Sequence, residues 1–172
     1  MRKPLYVVAA ILVLLSATAG ALHLRAQAQS AADEKAAIQA LYNEWNDAFM
    51  KKDVNTIMSF YAPDVFAFDV VPPREYPTWD AYKMDWQNLF ATFPGPVTNS
   101  LSEVNITVVG TVAYTRCIDD GTFTGKDGSK THIVVRVTDV LRKSDGKWRI
   151  VQEHVSVPVD LSTGKADLLS MP

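Results

Sequence analysis

Cysteine and histidine are scarce in this sequence: one cysteine, Cys117, and three histidines occur in 172 residues. A single cysteine cannot form an internal disulfide, so cross-links do not stabilise the fold. His132 and His154 have no cysteine or histidine at metal-ligand spacing, so we predict no metal site. A nucleophile elbow, a phosphate-binding glycine loop and a dinucleotide-binding fingerprint are also missing, and we predict no bound cofactor.

Positive charge is limited as well. The 17 lysines and arginines are outnumbered by 19 acidic residues, which gives a formal charge of −2. Without the first 28 residues, which contain Arg2, Lys3 and Arg25 but no acid, the charge falls to −5. Because nucleic acid is polyanionic, a mildly acidic protein is a poor match for it, and we predict no nucleic-acid partner.

The N-terminus has the features of a secretory signal. Arg2 and Lys3 precede an apolar run from Leu5 to Leu22 and then the small-residue pattern Ala26-Gln27-Ala28. We expect a signal peptide over residues 1–28, with cleavage after Ala28 or, as a second choice, after Ala21. The run is also long enough for an uncleaved membrane anchor, and this alternative stays open. With the signal removed, we predict an exported protein, periplasmic or secreted, without stable membrane association.

Residues 29–172 are enough for one domain, whose core we place at about 31–166. Apolar residues at helical spacing predict a first helix over Asp33–Lys52. Asp53 caps a short second helix that stops near Pro63, and Thr78 caps a third that stops at Pro94.

Alternation of β-branched residues predicts strands at 64–71, 97–109, 111–124, 130–143 and 147–157. The last two form a hairpin with a turn at Ser144-Asp145-Gly146. Helices that precede a series of strands predict an α+β domain, with a curved antiparallel β-sheet wrapped around the three helices.

The hairpin contains the polar residues that most need an explanation. On its first strand, the neighbours of Asp139 on the same side are apolar, so its carboxyl group is expected in the apolar layer. On its second strand, regular alternation puts His154 on the side of Trp148. Polar groups on a core face must be hydrogen-bonded or functional, so both are candidate site residues. A structural pairing of Asp139 with Arg116 or Arg136 is the alternative.

Three motifs indicate a family. They are Phe60-Tyr61-Ala62-Pro63-Asp64-Val65 after the second helix, and Val137-Thr138-Asp139-Val140 and Asp145-Gly146-Lys147-Trp148 in the hairpin. With the order of elements, they resemble the NTF2-like superfamily, and more narrowly its SnoaL-like and ketosteroid-isomerase-like proteins. The resemblance implies a cone in which three N-terminal helices pack in a curved antiparallel sheet. The hairpin also resembles the association domain of calcium/calmodulin-dependent kinase II, and one fold can host enzymes, binders and assembly domains alike.

The resemblance to ketosteroid isomerase implies roles for individual residues. The general base of that enzyme corresponds to Asp69, and its protonated oxyanion-hole aspartate corresponds to Asp139. Its tyrosine donor falls on Trp45, whose indole N–H donates more weakly and cannot give up a proton. Another tyrosine, such as Tyr42 or Tyr61, could replace it. In the alternative without function, Asp69 caps the following turn or meets solvent.

We therefore predict a cone pocket that holds a small, largely apolar molecule. The predicted ligand-binding residues are Tyr42, Trp45, Tyr61, Phe68, Tyr82, Trp86, Arg116 and Arg136. Surface pairing of the two arginines with Asp119 and Asp120 is the alternative to a binding role. If the protein is an enzyme, we expect cofactor-free, isomerase-like or lyase-like proton transfer on a carbonyl compound. Asp69 would be the base, and Asp139 with His154 would orient or donate.

A non-catalytic binding or oligomerisation module is the alternative function. It requires only an apolar outer face of the sheet, which Val151, Val155 and Val157 would supply, interrupted by Glu153. A homodimer through that face is expected under either hypothesis.

Overall fold

The computed structural model describes residues 29–170. The chain divides into two units, residues 1–36 and 37–172, and the architecture that follows is that of the second unit. The predicted signal peptide, with its cleavage sites after Ala21 and Ala28, lies outside the described residues. None of the helices between residues 29 and 170 is long and apolar enough to cross a membrane.

Helices come first along the described chain. Residues 29–50 are helical, and the part within the second unit, 37–50, is named α1; α2 covers Val54–Ser59 and α3 covers Trp79–Thr92. Asp53 caps α2, since its side chain accepts from the backbone N–H of Thr56 at 3.1 Å. Thr78 caps α3 and accepts from the backbone N–H of Ala81 at 3.2 Å. Both caps confirm the sequence prediction, because a side-chain oxygen satisfies an otherwise unpaired N–H in the first turn.

Five long strands form one sheet in the order β1-β5-β4-β3-β2. They are β1 (Tyr61–Phe68), β2 (Val97–Val109), β3 (Val112–Thr124), β4 (Lys130–Ser144) and β5 (Lys147–Ser156), and β6 (Val159–Asp160) and β7 (Lys165–Ala166) form a separate small sheet. The long strands pair antiparallel except β1 and β5, which pair parallel. The prediction of an antiparallel sheet is wrong at this edge, because the long connection between β1 and β5 leaves the direction of β1 free.

A β-bulge interrupts the pairing of β4 with β5. Leu141 pairs with Ile150, but the next pair along the ladder is Val140 with Gln152. Val151 therefore has no partner of its own, and two residues of β5 occupy the space of one on β4.

The bulge reverses the alternation of side chains along β5. Trp148 and Ile150 are buried before the bulge, as predicted, but beyond it Glu153 is buried and His154 is exposed. The prediction that His154 shares the face of Trp148 is wrong, because that prediction assumed a regular strand.

The inner face of the sheet packs against α1 and α3. The helices contribute Ile38, Leu41, Tyr42, Trp45 and Phe49 from α1, and Tyr82, Trp86 and Phe90 from α3. A smaller cluster of Cys117, Val135 and Val137 lies on the sheet, with Val155 and Val157 packed against it. These last two valines point inward because they follow the bulge, so they do not supply the outer apolar face that was predicted for them. The homodimer itself stays a prediction.

Candidate functional site

A cavity of about 120 Å³ lies between the inner face of the sheet and helices α1 and α3. Aromatic and aliphatic side chains form most of its wall, and five carboxyl groups interrupt it: Asp69, Asp85, Asp119, Asp139 and Glu153. Its size is similar to that of a cavity of about 150 Å³ known to bind benzene, so it suits a small ring. Among residues 29–170, no group of three or more His, Cys, Asp or Glu side chains is arranged to hold a metal ion.

Asp69 follows directly after β1 and lines the cavity, as predicted for the end of this strand. Its Oδ1 accepts from the backbone N–H of Val70 at 2.5 Å, and its Oδ2 accepts from the hydroxyl of Tyr82 at 3.2 Å. Burial raises the pKa of Asp69, while these two hydrogen bonds oppose the increase. Asp69 is therefore a stronger base than a solvent-exposed aspartate.

Glu153 was not among the predicted site residues. It is 4% exposed and lines the cavity. Its Oε2 accepts from the hydroxyl of Tyr61 at 2.8 Å, and its Oε1 accepts from Tyr82. Burial raises the pKa of Glu153 well above its ordinary value, and the charge of Asp139 raises it further, while the tyrosine hydrogen bonds lower it.

Asp139 lies opposite Glu153 on the neighbouring strand and is 1% exposed. Its Oδ2 accepts from the hydroxyl of Tyr42 at 2.5 Å, and that hydroxyl lies 2.5 Å from Thr115 Oγ1. Burial raises the pKa of Asp139 to about 6, and hydrogen bonds from Tyr42, Glu153 and Thr115 limit the increase. The position predicted for Asp139, in the apolar layer, is confirmed.

The carboxyl groups at this site need protons to satisfy one another. Two carboxylates have no hydrogen to donate, so Asp139 and Glu153 form a hydrogen bond only when one of them is protonated. Without that proton, Asp139 Oδ1 is buried with no donor. The Tyr82 hydroxyl contacts both Asp69 and Glu153 but has one hydrogen, so it can donate to only one of them. A proton held on the buried chain from Asp69 to Asp139 would satisfy these groups, and the raised pKa values of Asp139 and Glu153 favour it.

Two more carboxyl groups of the cavity have raised pKa values. Asp85, on α3, accepts from the hydroxyl of Tyr76 at 2.9 Å, and burial raises its pKa to about 6. Asp119, on β3, accepts from the side chain of Asn99, and burial raises its pKa to about 7. Both groups therefore change charge near neutral pH.

Three predicted ligand-binding aromatics, Tyr42, Trp45 and Trp86, line the cavity. Tyr61 and Tyr82 do not line the cavity but donate hydrogen bonds to Glu153, which does. Four other predicted site residues do not line it: Phe68, Arg116, Arg136 and His154.

Those four side chains lie on the outer face of the sheet. Phe68 pairs with His154 across β1 and β5, and their rings are 5.5 Å apart. Phe68 points outward because its neighbours Ala67 and Asp69 face the core and the cavity. Arg116 and Arg136 are exposed, so neither pairs with Asp139, and the predicted structural alternative for that residue is wrong.

These pKa shifts predict that the stability of the protein decreases as the pH rises. An acid whose pKa is raised by folding stabilises the fold below its unfolded pKa, and this contribution is lost as the pH passes the folded value. That interval runs from 3.8 to about 7 for Asp119 and from 3.8 to about 6 for Asp139. The exposed Asp53 and Asp64 have lowered pKa values, so their effect on stability falls at lower pH, outside this interval. We expect the Tm to fall by at least about 4 °C between about pH 5 and pH 8, which corresponds to a loss on the order of 1 kcal/mol in the free energy of unfolding. Calorimetry across this range tests it, and a constant or rising Tm would contradict it.

Comparison with known proteins agrees with this architecture. Residues 38–160 match the family model of the SnoaL-like domain. An NTF2-like protein of unknown function from Pseudomonas putida KT2440 is 25% identical, with a TM-score of 0.75 over 82% of this chain and 98% of that chain. No curated protein matches the sequence.

Two further solved structures bear on the sequence predictions. A ketosteroid isomerase-like protein from Erwinia carotovora atroseptica is 23% identical, with a TM-score of 0.61 over 70% of this chain and 92% of that chain. A candidate calcium/calmodulin-dependent protein kinase II association domain from Xanthomonas campestris is 22% identical, with a TM-score of 0.61 over 69% of this chain and 83% of that chain. At these identities the similarity establishes the fold alone. The family match is more specific, because residues 38–160 contain all five strands of the main sheet and every residue that lines the cavity, and the chain therefore belongs to the SnoaL-like domain family.

Proposed function

We propose that the cavity binds a small, largely apolar carbonyl compound and that Asp69 removes a proton from the carbon next to the carbonyl group. One observation carries the proposal: the hydroxyl of Tyr82 joins Asp69, a base on the cavity wall, to Glu153, a buried carboxyl group whose pKa is raised well above its ordinary value. A base and an acid separated by one hydroxyl group are the parts that general acid–base catalysis requires.

The base in this proposal is Asp69. Its Oδ2 bonds to Tyr82, and the apolar wall around it disfavours the charged form. Because a proton acceptor gains strength as its pKa rises, this environment makes Asp69 better able to remove a weakly acidic C–H proton.

The acid is the pair of Asp139 and Glu153. A neutral carboxyl group in an apolar site can donate a hydrogen bond to the oxygen on which negative charge develops. This replaces the predicted role of His154, which is exposed on the opposite face of the sheet.

The proposed reaction balances without a cofactor. The proton moves from the α carbon to Asp69, and the electron pair of the broken C–H bond forms an enolate. The carboxyl pair stabilises the enolate oxygen, and Asp69 then returns the proton to the γ carbon of an unsaturated ketone. The double bond moves into conjugation, and the enzyme ends in its starting state.

The test uses β,γ-cyclohexenone, a small ring ketone whose isomerisation produces an ultraviolet-absorbing conjugated product. We expect the wild type to accelerate the reaction and Asp69→Asn to lose about 100-fold or more of that rate. Asp64→Asn is the matched control, because this exposed aspartate of β1 pairs with Arg142 away from the cavity, and we expect a rate within about twofold of wild type. Deuterium incorporation at the α carbon in heavy water detects proton removal without isomerisation. Equal rates in Asp69→Asn and wild type would reject the proposal, as would a wild type that is no faster than buffer in both assays.

We also propose export and assembly into a homodimer. Export is supported by Arg2, Lys3 and the apolar run that follows them. A binding or assembly module without catalysis is the second candidate function. The observation that favours it is the exposed apolar group of Val109, Val112 and Tyr114 near the β2–β3 turn, with Val109 67% exposed.

A further inference from the structure

The charged groups around the cavity all have the same sign. Its wall carries five carboxyl groups, and among residues 29–170 no lysine, arginine or histidine lines it. Burial favours the neutral form of these groups, but Asp85 and Asp119, whose pKa values are raised to about 6 and about 7, still ionise near neutral pH. The unliganded cavity is therefore negatively charged in an apolar environment, where charge is poorly screened.

The carboxyl groups also disfavour one another's charge. Asp69 raises the pKa of both Asp85 and Asp119, and Asp139 raises those of Asp119 and Glu153. A positive charge in the cavity would relieve this repulsion, whereas a neutral molecule would not and a negative one would increase it.

Aromatic faces complete the wall. Trp45, Phe49 and Trp86 line the cavity and pack together, with ring centroids 5.1 to 5.8 Å apart. Aromatic faces attract cations, and tryptophan does so most strongly. Carboxylates and aromatic faces in one wall form a surface that is complementary to an organic cation.

A buried hydrogen-bond donor in the same wall has no partner among residues 29–170. Trp86 is only 6% exposed, and its indole Nε1 is buried without a hydrogen-bond partner. Buried donors in proteins are almost always bonded, because a buried donor without a partner loses its hydrogen bond to water. An acceptor atom on a bound molecule would satisfy it.

We infer that the natural ligand of this cavity is a small organic molecule that carries a protonated amine. The inference rests on the proposed function, since it names the class of compound that the cavity binds. The ammonium group would lie among the carboxyl groups and aromatic faces, and an acceptor atom of the same molecule would reach Trp86.

Three probes with one ring and different charge test the inference: benzylamine, which is protonated at neutral pH, benzyl alcohol and benzoate. Binding is followed by the indole N–H signal of Trp86 in two-dimensional NMR spectra, assigned with Trp86→Phe. Phosphate buffer at constant ionic strength avoids a competing amine. We expect benzylamine to bind at least about tenfold more tightly than benzyl alcohol, and benzoate not to bind.

Two adjacent aspartates of β3 provide matched variants. Asp119 lines the cavity. Asp120 lies outside it, with its Oδ1 2.7 Å from Nε2 of His132. We expect Asp119→Asn to reduce the preference for benzylamine over benzyl alcohol by at least about threefold, and Asp120→Asn to leave it unchanged. Asp139→Asn, a second cavity variant, should reduce it in the same way if Asp119→Asn folds poorly.

The outcomes separate this inference from the proposed function. Equal binding of benzylamine and benzyl alcohol would overturn the amine inference but would leave a cavity that accepts small apolar molecules. An equal loss of preference in Asp119→Asn and Asp120→Asn would overturn it too, because a general surface potential would then explain it. If no probe binds, the amine inference fails, and the isomerisation assay decides the proposed function separately.

Discussion

Glu153→Ala is expected to destabilise the protein by about 3 to 5 kcal/mol. Glu153 accepts hydrogen bonds from Tyr61 and Tyr82 and faces Asp139, and all four side chains are buried. Alanine removes the acceptor of the Tyr61 hydroxyl, leaves Tyr82 with Asp69 alone, leaves Asp139 without the facing carboxyl group and creates a void. Urea unfolding followed by tryptophan fluorescence measures the loss, and a change below about 1 kcal/mol would contradict this account of the network.

Glu153→Gln separates the shape of this side chain from its proton. The amide oxygen can still accept from a tyrosine, and the amide N–H can donate to Asp139 without a stored proton. We expect Glu153→Gln to keep stability within about 1 kcal/mol of wild type. Gln152→Ala, at the exposed neighbouring position, is the control and should change stability by less than about 0.5 kcal/mol. If glutamine destabilises as much as alanine, the ionisable group itself is required for folding.

Trp45→Ala is expected to cost about 3 to 5 kcal/mol, because it removes the central ring of the aromatic core. The Trp45 ring stacks on Phe49 with centroids 5.1 Å apart and meets the edge of Trp86 at 5.8 Å. Its Nε1 donates to the hydroxyl of Tyr61 at 3.2 Å, so it also holds the tyrosine that bonds Glu153. The variant should therefore lose both packing and the orientation of the acid pair.

The size of the Trp45 effect is measured by thermal and urea unfolding, with two comparison variants. Trp45→Phe keeps most of the ring contacts and removes only the indole donor, so we expect a loss of about 1 to 2 kcal/mol. Tyr114→Ala removes an aromatic ring that is 54% exposed and should change stability by about 0.5 kcal/mol or less. Similar losses for Trp45→Ala and Tyr114→Ala would show that burial in this core has little energetic weight, contrary to our expectation.

Local signals in the sequence are sufficient to predict most elements of this fold. Asp53 and Thr78 cap their helices because each side-chain oxygen needs only a backbone N–H three residues away. The turn at Asp145 and Gly146 also follows from local chemistry, since both residues adopt the positive φ that such a turn requires, 52° and 75°. Asp139 was predicted correctly to lie in the apolar layer, because its strand segment alternates regularly; Asp69, which the family resemblance indicated, lines the same cavity.

Glu153 shows where regular alternation fails to predict the face of a side chain. The signal was present, because Glu153 interrupts an apolar series of valines on its own side of the strand, as Asp139 does on β4. The valine series was assigned to the outer face because Trp148 and Ile150 have the opposite parity. One unpaired residue at Val151 reverses the faces, so Glu153 enters the cavity and His154 leaves it.

The sequence by itself therefore determined the α+β fold, its family, its helices and turns, and two of the carboxyl groups in the cavity. Only the tertiary structure decided the direction of β1, the side of the sheet on which β5 residues lie after Val151, and the contact of Asp69 with Glu153 through Tyr82. The physical reason is that caps, turns and alternation depend on neighbours within a few residues. A bulge and a parallel edge depend on how a strand pairs with residues far away along the chain.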